Sequence, residues 1–254
     1  MLELKDVTKY YGALAAVRDV SFTVRPGDVL GYLGPNGSGK STTVKMITGL
    51  LTPTSGAITY GGRNIQDHLL EHRRRIGYVP ETPEIYTYLT GPEYLTLVGR
   101  LRQIDERVLE EKIERFLHLW GIYDDRYATL SAYSKGMKQK ILISAALLHD
   151  PELVILDEPS SGLDVGSTLV LKQLIKALAA AGKIILYSSH VLEQVEQVCS
   201  EVLILRDGEV VASDDVERLR ALMERPSLEQ VFTRLAVRQD VGQVARDLME
   251  AMTL

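Results

Sequence analysis

Residues 34–41 read Gly34-Pro35-Asn36-Gly37-Ser38-Gly39-Lys40-Ser41, a glycine, four further residues and then Gly-Lys-Ser. An almost unbroken apolar run, Val29 to Leu33, comes directly before this stretch, and the sequence from Thr42 to Leu51 is compatible with a helix. The stretch therefore lies between a buried strand and a helix, which is the context in which this pattern binds phosphate. The sequence predicts a phosphate-binding loop within an α/β domain.

The residue types in this loop suit the chemistry of phosphate binding. Glycines let backbone N–H groups approach phosphate oxygens with no Cβ in the way, and a helix N-terminus adds partial positive charge. Lys40 would reach the β- and γ-phosphates of a nucleotide, and the Ser41 hydroxyl would bind Mg²⁺. We count Thr42, the next residue, among the nucleotide-binding residues. The alternative is a glycine-rich turn that binds nothing, and the flanking strand and helix argue against it.

The composition is that of an ordinary globular protein. The chain has 254 residues, of which 45% are hydrophobic and 25% charged, and its formal net charge is −5. This length allows one large α/β domain or a domain with a subdomain, and the mildly acidic charge argues against broad nucleic-acid binding. The first residues show no signal-sequence pattern, and no run of about 18 apolar residues occurs. We therefore expect a cytosolic chain that spans no membrane and binds no nucleic acid.

The segment before the loop has the pattern of a β layer. Residues 2–32 alternate in hydrophobicity and turn at Gly12 and at Pro26-Gly27, which predicts antiparallel strands. Tyr10 and Tyr11 precede the first turn. An aromatic ring at this position could stack on a nucleotide base or pack against the sheet, and the pattern does not decide between the two.

A long charged segment in the middle of the chain has helical periodicity. Residues 91–130 carry apolar side chains at helical spacing with no β-rich segment among them, which predicts an inserted helical subdomain. Another helix is predicted from Ser134 to about His149, because Asp150-Pro151 stops it. Its first turn contains Gly136, so this helix end could bind an anion or could simply be capped by Ser134.

Two further predicted strands end in residues that suit nucleotide chemistry. The apolar run Leu153 to Leu156 leads into Asp157 and Glu158, and acidic residues at the end of a parallel strand indicate the nucleotide crevice. Asp157 would hold Mg²⁺ through water, and Glu158 would orient or deprotonate the water that attacks the γ-phosphate. A solvated acidic turn is the alternative. His190 follows the other strand, where it could bond to the γ-phosphate or be structural.

In order and spacing, these motifs resemble the nucleotide-binding domain of ATP-binding cassette (ABC) transporters over roughly residues 2–213. The correspondences are the Walker A loop at residues 34–41, the signature motif at residues 134–137, Walker B with its catalytic glutamate at residues 153–158, the D-loop at residues 161–164, the switch histidine at His190 and the adenine-stacking aromatic at Tyr11. The resemblance implies a P-loop NTPase core with a mostly parallel sheet, an N-terminal antiparallel β layer and an inserted helical subdomain at about residues 91–150.

The resemblance also implies a mechanism. Two such domains pack head to tail, so that Ser134, Gly136 and Asp164 of one chain would contact the ATP held by the Walker loops of the other. Lys40, Glu158 and His190 would be catalytic, and the implied ligands are ATP and Mg²⁺. The γ-phosphate would collect charge-assisted hydrogen bonds across the interface, and its loss on hydrolysis would let the dimer reopen.

Two positions depart from the family pattern. Glu81 stands where the family has a glutamine that meets Mg²⁺ or the attacking water. A glutamate can still bind Mg²⁺, so we expect Glu81 to be a metal ligand with Ser41 and Asp157, but it adds negative charge near the phosphates. The signature reads Tyr133-Ser134-Lys135-Gly136-Met137 instead of Leu-Ser-Gly-Gly-Gln, and Lys135 could face either the phosphate or solvent.

The family context implies partners. We expect a cytosolic ATPase subunit at the inner face of the membrane that docks as a dimer, most simply a homodimer, on separate membrane-spanning permease subunits. Residues 82–100 and the helical subdomain would face the permease. Residues 227–232 resemble the ending of the ATPase subunits of ABC-2-type exporters, which favours export. We expect residues 214–254 to be a C-terminal helical extension outside the core, either an appendage or a dimer contact.

Two other functions compete with transport. A soluble ABC-type ATPase that is not coupled to transport would usually carry a long coiled coil or two cassettes, which 254 residues do not accommodate. A phosphate-loop kinase would need an acceptor-binding lid, and no segment has that character. The sequence does not reveal the transported substrate or whether the partner cassette is an identical chain.

Overall fold

The computed structural model describes residues 1–82, 84–222, 227–236, 249 and 251. The chain forms two β-sheets and the helices that cover them. The strands are β1 (Leu2–Tyr11), β2 (Leu14–Val24), β3 (Val29–Leu33), β4 (Ser55–Tyr60), β5 (Arg63–Asn64), β6 (Ile76–Val79), β7 (Leu153–Asp157), β8 (Ile184–Ser188), β9 (Glu201–Arg206) and β10 (Glu209–Asp215). The helices are α1 (Lys40–Ile47), α2 (Leu69–Arg74), α3 (Gly91–Leu101), α4 (Glu106–Leu119), α5 (Lys135–Leu147), α6 (Val165–Ala180), α7 (Leu192–Val198), α8 (Val216–Leu222) and α9 (Leu228–Ala236).

The larger sheet is almost entirely parallel. Its order is β10-β9-β3-β8-β7-β6, and only β10 runs antiparallel to its neighbour. Every residue of β3, β7 and β8 is buried, which is why these strands read as continuous apolar runs. Because the carboxyl ends of β3, β7 and β8 share one edge, the segments that follow them are brought together there. This confirms the predicted mostly parallel sheet.

The smaller sheet is the predicted antiparallel β layer. Its order is β2-β1-β4-β5, and Leu2 and Leu4 of β1 lie opposite Tyr60 and Ile58 of β4. The buried side chains of this layer join one face of the larger sheet and α1 in a single apolar cluster, which includes Leu4, Val20, Leu30, Tyr32, Met46 and Ile58. The β layer is therefore anchored to the strand that leads into the phosphate loop.

Helices α3, α4 and α5 confirm the predicted helical region. Thr90 and Glu93 form a capping box at the start of α3, with Glu93 N–H donating to Thr90 Oγ1 over 3.3 Å. Helix α5 begins after Ser134 and ends at Leu147, slightly earlier than expected. Its apolar side chains belong to the same core cluster as residues of β7 and β8. Helix α5 also covers the main sheet, so the boundary of the helical subdomain at about residues 91–150 stays a prediction.

The C-terminal region contributes to the core, and the expectation that it lies outside is wrong for its described part. Leu228 and Val231 of α9 are fully buried within the cluster formed by the main sheet and its helices. The predicted extension also includes residues 223–226, 237–248, 250 and 252–254, which lie outside the described residues. No helix in the described part of the chain combines the length and apolar character needed to cross a bilayer.

Candidate functional site

A cleft of about 630 Å³ lies at the carboxyl edge of the main sheet. It collects the side chains that follow β3, β7 and β8, together with Glu81 after β6. The predicted site residues that line it are Gly34, Pro35, Asn36, Gly37, Gly39, Lys40, Ser41, Thr42, Glu81, Asp157, Glu158 and His190. Four separate segments of sequence thus converge on one cavity of ligand size.

The phosphate loop leads into helix α1 and leaves the N-terminus of that helix without a side-chain cap. Gly39 has a φ of 102°, which favours glycine, and a Cβ on it would lie 2.5 Å from the carbonyl oxygen of Ala16. Helix α1 then starts at Lys40 with no side-chain cap and no acidic residue in its first turn. Its first N–H groups are therefore available to an anion. The Ser38 hydroxyl is buried and has no hydrogen-bond partner among the described residues.

The Lys40 ammonium group lies inside the loop. Its Nζ donates to the carbonyl oxygens of Gly34, at 2.5 Å, and Pro35, at 3.0 Å. Burial lowers the pKa of Lys40, while the carboxylates of Asp157 and Glu158 act in the opposite direction. Both acceptors of Lys40 are neutral, so phosphate oxygens could replace them with stronger charge-assisted bonds.

Asp157 lies in a negative environment that suits a cation. Burial raises the pKa of its carboxyl group, and the nearby carboxylates of Glu81 and Glu158 raise it further, against a hydrogen bond from Ser188. Among the described residues, no three His, Cys, Asp or Glu side chains form a group that could hold a metal alone. Mg²⁺ usually takes one or two carboxylates and completes its shell with water and phosphate oxygens. The donor set of the cleft fits that pattern.

Glu158 and His190 form a pair at the cleft. The Glu158 carboxylate lies 2.8 Å from His190 Nδ1 and accepts the His190 backbone N–H at 2.7 Å. The Glu158 side chain is 12% exposed, whereas that of His190 is 80% exposed. Glu158 has a φ of 49°, and its backbone N–H donates to the carbonyl oxygen of Ser188 over 3.0 Å. The turn after β7 therefore holds the Glu158 carboxylate toward the segment after β8.

Tyr11 does not line the cleft. Its side chain is exposed, and the ammonium of Lys9 lies 5.8 Å from the centre of its ring. The exposed ring of Tyr11 is accessible to a base, but it lies outside the cleft that the phosphate loop lines. Its role in adenine stacking stays a prediction.

The signature and D-loop residues lie apart from the cleft of their own chain. The Ser134 hydroxyl caps α5, and Asp164 caps α6 by accepting from the Ser167 N–H and hydroxyl, which holds the pKa of Asp164 down to about 2. A Cβ on Gly136 would lie 2.3 Å from the carbonyl oxygen of Gly162, so the two segments are in close contact. Their contact with the ATP of a second chain stays a prediction.

Six cleft residues had not been singled out from the sequence. They are Ala16, Leu33, Ser188, Ser189, Leu192 and Phe232. Ser188 and Ser189 could have been found, because they directly precede His190 at the end of a predicted strand. Phe232 lies in the segment 227–232 that resembles an exporter ending, but nothing in that segment indicated a site residue, since Phe232 is far from every other cleft residue in sequence and reaches the site only through the packing of α9.

The chain is similar to proteins of one family. Residues 17–161 match the family described as ABC transporter. The ABC transporter ATP-binding protein NatA of Bacillus subtilis (strain 168) is 35% identical over 244 residues, which are 94% of this chain and 99% of that protein. The bacitracin transport ATP-binding protein BcrA of Bacillus licheniformis is 36% identical over 221 residues, or 87% of this chain and 71% of that protein.

Solved structures agree with these sequence matches. The ATP-binding subunit of an ABC transporter superimposes with a TM-score of 0.86 at 35% identity, covering 92% of this chain and 99% of that one. A dimeric ATP-binding cassette in a post-hydrolysis state, bound to ADP and Pi, superimposes with a TM-score of 0.78 at 25% identity, covering 85% and 98% of the two chains.

Proposed function

The chain belongs to the ABC transporter family, as an ATP-binding subunit that hydrolyses ATP, and we propose that it drives export of a substrate through separate membrane-spanning permease subunits. The observation that carries this proposal is the single cleft in which Lys40, Asp157, Glu158 and His190 meet. A soluble cassette ATPase would use the same cleft, so the proposal also needs a surface for a permease. Transport is supported by the likeness to BcrA, a bacitracin transport protein, and export by the resemblance of residues 227–232 to the ending of ABC-2-type exporter subunits.

The phosphate loop and Lys40 would hold the nucleotide. The open N-terminus of α1 would take the β-phosphate, and Lys40 would exchange its bonds to Gly34 and Pro35 for phosphate oxygens. We assign Mg²⁺ to the Ser41 hydroxyl and the Asp157 carboxylate, with Glu81 as a third candidate ligand. When bound, Mg²⁺ would neutralise charge that builds up on the phosphates. The pKa of Asp157, raised by burial, supports this assignment because a buried carboxylate gains most from a nearby cation.

Glu158 would act as the general base for the attacking water. Its carboxylate would accept the proton of that water as the oxygen bonds to the γ-phosphorus, while the bond from phosphorus to the β–γ bridging oxygen breaks and ADP leaves. His190 holds Glu158 through its Nδ1 and its backbone N–H, which orients the carboxylate. For the His190 ring to donate to the γ-phosphate as well, the ring must turn from Glu158 or carry a second proton.

A second copy of the chain would complete the site. The backbone of Gly136 packs on Gly162, so the signature and D-loop segments form one surface that could approach the ATP of a partner chain together. Lys135 is exposed, and its alkyl stem runs beside Gly162. We propose that this surface faces the phosphate loop of an identical chain, with two ATP molecules between them. The likeness to a dimeric cassette supports this arrangement.

A groove of about 470 Å³ offers a docking surface for the permease. Its walls come from the end of α1, from α2 and from the end of α3, and Leu50, Leu70 and Leu101 on it are exposed. Three arginines stand beside these side chains. An exposed apolar groove of this kind is typical of an interaction site. It adjoins the end of the predicted contact region, residues 82–100.

The charges of the groove indicate the chemistry of its partner. Arg102 donates to the carbonyl oxygen of Ile76 over 3.1 Å, and Arg73 donates to that of Gly49 over 2.6 Å. Burial lowers the pKa of Arg102, yet neither it nor Arg73 or Arg74 pairs with a carboxylate among the described residues. A charge that is removed from water without a counterion is costly. We therefore propose that a permease segment with apolar and acidic side chains fills this groove at the inner face of the membrane.

Phosphate release without an acceptor tests the enzymatic part of this proposal. The purified chain with ATP and Mg²⁺ should release inorganic phosphate, and Lys40→Ala should abolish that release. A chain that transfers phosphate only when an acceptor is added would be a kinase, which contradicts the proposal.

Recovery of a permease tests the transport part. A tagged chain in its native cells should appear in the membrane fraction and, after gentle detergent extraction, carry a multi-span apolar protein. Arg74→Glu should remove that protein, because it reverses a charge on the groove, while Arg25→Glu, at an exposed position in the turn between β2 and β3 and outside the groove, is the matched control. Recovery of the wild type in a wholly soluble form, bound to no membrane protein, would leave an ATPase without a transport role.

A further inference from the structure

Helix α9 is held at both ends by side chains of other elements, α7 and β9. The Leu228 backbone N–H at its start donates to the Glu196 carboxylate on α7, and Arg206 on β9 donates to the carbonyl oxygen of Leu235 near its end. An acidic group at a helix N-terminus and a basic group at its C-terminus are opposite in sign to the partial charges at those ends, and both therefore stabilise the helix. Leu228 and Val231 are fully buried between these points, so α9 is an integral element of the fold.

This docking brings Phe232 to the cleft. Phe232 is partly buried against the core cluster, and it lines the same cavity as His190 and Leu192. Helix α7 starts at Leu192, two residues after His190, and its Glu196 is the residue that caps α9. The helix that follows His190 and the helix that carries Phe232 are therefore joined directly.

The Glu158–His190 pair is open to solvent on its histidine side, so an apolar neighbour in the cleft bears on its hydrogen bonds. The His190 side chain is 80% exposed, and its contacts with Glu158 are the hydrogen bonds that hold it in place. Water that competes for Glu158 or His190 weakens such bonds, because electrostatic interactions are stronger where solvent is excluded. Phe232 and Leu192 are apolar side chains that line the same cleft as this pair.

We propose that Phe232 is a positioning residue for ATP hydrolysis. Its ring forms an apolar wall of the cleft and keeps the Glu158–His190 pair in the arrangement that activates water. This inference rests on the proposed ATPase function and extends it, because it makes the C-terminal helix a part of the nucleotide site. Because this role concerns the Glu158–His190 pair and not the phosphate loop, the ring should affect the hydrolysis step more than nucleotide binding.

The test separates kcat from KM in steady-state phosphate release. Phe232→Ala should lower kcat by about tenfold, which corresponds to about 1.4 kcal/mol, and leave KM for ATP within about twofold. Phe232→Leu should restore most of the lost activity, since it returns an apolar side chain to the wall. Gln230→Ala changes an exposed side chain on the same helix and should behave as wild type.

The other outcomes overturn the proposal. An unchanged kcat in Phe232→Ala would make the ring a packing residue only, and an increased kcat would make it a plug that blocks the cleft. Val231→Ala removes buried packing from α9 without touching the cleft, so an equal loss of kcat in that variant, with equal destabilisation, would assign the effect to docking of the helix. A wild-type chain without ATPase activity refutes the proposed function, and this inference with it, whereas an active wild type with an unaffected Phe232→Ala refutes the inference alone.

Discussion

Replacement of Glu158 by glutamine separates ATP binding from ATP hydrolysis. The glutamine has the same shape, and its amide oxygen can still accept the His190 backbone N–H that now lies 2.7 Å from the carboxylate. Its NH₂ group cannot accept a proton from water, so the general base is lost. General-base catalysis is worth about 10²–10⁴ in rate, or roughly 2.7–5.5 kcal/mol in the barrier. We expect kcat to decrease by a factor of about 10²–10⁴.

The fold should tolerate this change. The contact with His190 Nδ1 has one partner, the histidine, that is 80% exposed, and an ion pair open to solvent on one side contributes only about 1 kcal/mol to stability. The variant should therefore unfold at nearly the wild-type temperature and bind ATP with unchanged affinity. Since the γ-phosphate then persists, an ATP-dependent dimer should accumulate, which light scattering after size-exclusion chromatography would detect.

The measurement has a matched control and a clear refutation. Glu193→Gln makes the same chemical change in the first turn of α7, outside the cleft, and should retain wild-type kcat. A Glu158→Gln variant that releases phosphate within about threefold of the wild-type rate would show that Glu158 is not the base, and the assignment of the hydrolytic step would then fail.

Three further predictions concern charge, packing and pH. Glu81→Gln should keep ATPase activity within about tenfold, because the amide oxygen can still serve as a ligand and one charge that raises the pKa of Asp157 is removed. Gly77→Ala should lower the unfolding free energy in urea by about 1–3 kcal/mol, since its Cβ would lie 2.2 Å from the carbonyl oxygen of Ala146. Burial and nearby cations lower the pKa of His149 to about 4. The unfolded chain therefore binds the extra proton between about pH 6.5 and 4, so stability should fall by up to about 3 kcal/mol as the pH drops through that window.

Each of these predictions has its own control. A loss of more than about tenfold in Glu81→Gln would mean that the carboxylate itself is needed. Gly166→Ala is the control for Gly77→Ala, because its Cβ would meet nothing closer than Asp164 Oδ1 at 3.3 Å, and equal stability of the two variants would contradict the packing argument. His149→Gln should reduce the loss of unfolding free energy as the pH falls from about 6.5 to 4. An unchanged loss would assign this pH dependence to other groups.

Much of the site could be predicted because its chemistry is local in the sequence. A phosphate loop needs its glycines, lysine and serine in one continuous stretch, and residues 34–41 contain them all. Asp157 ends a strand whose other residues are all apolar, Glu158 follows it directly, and His190 follows another strand, so each could be placed at a strand end. Parallel strands share an edge for their carboxyl ends, which is why these separate segments could be expected to meet.

The packing of residues distant in sequence could not be predicted in this way. The pattern at Ser134 allowed either an anion site or a cap, and the structure shows its hydroxyl capping α5 within its own chain. The tail was expected outside the core because the resemblance to the family ends at about residue 213. Whether an amphipathic helix covers its own chain or another depends on the surface that remains for it.

The sequence alone therefore determined the class of chemistry, since phosphate binding, the acidic strand end and the order of motifs are written in short continuous segments. Only the tertiary structure decided what surrounds that chemistry: the contacts of His190 with Glu158, the groove lined by three arginines and the position of Phe232 in the cleft. The physical reason is that burial, pKa shifts and contacts between distant segments depend on which surfaces meet, and no local pattern contains that information.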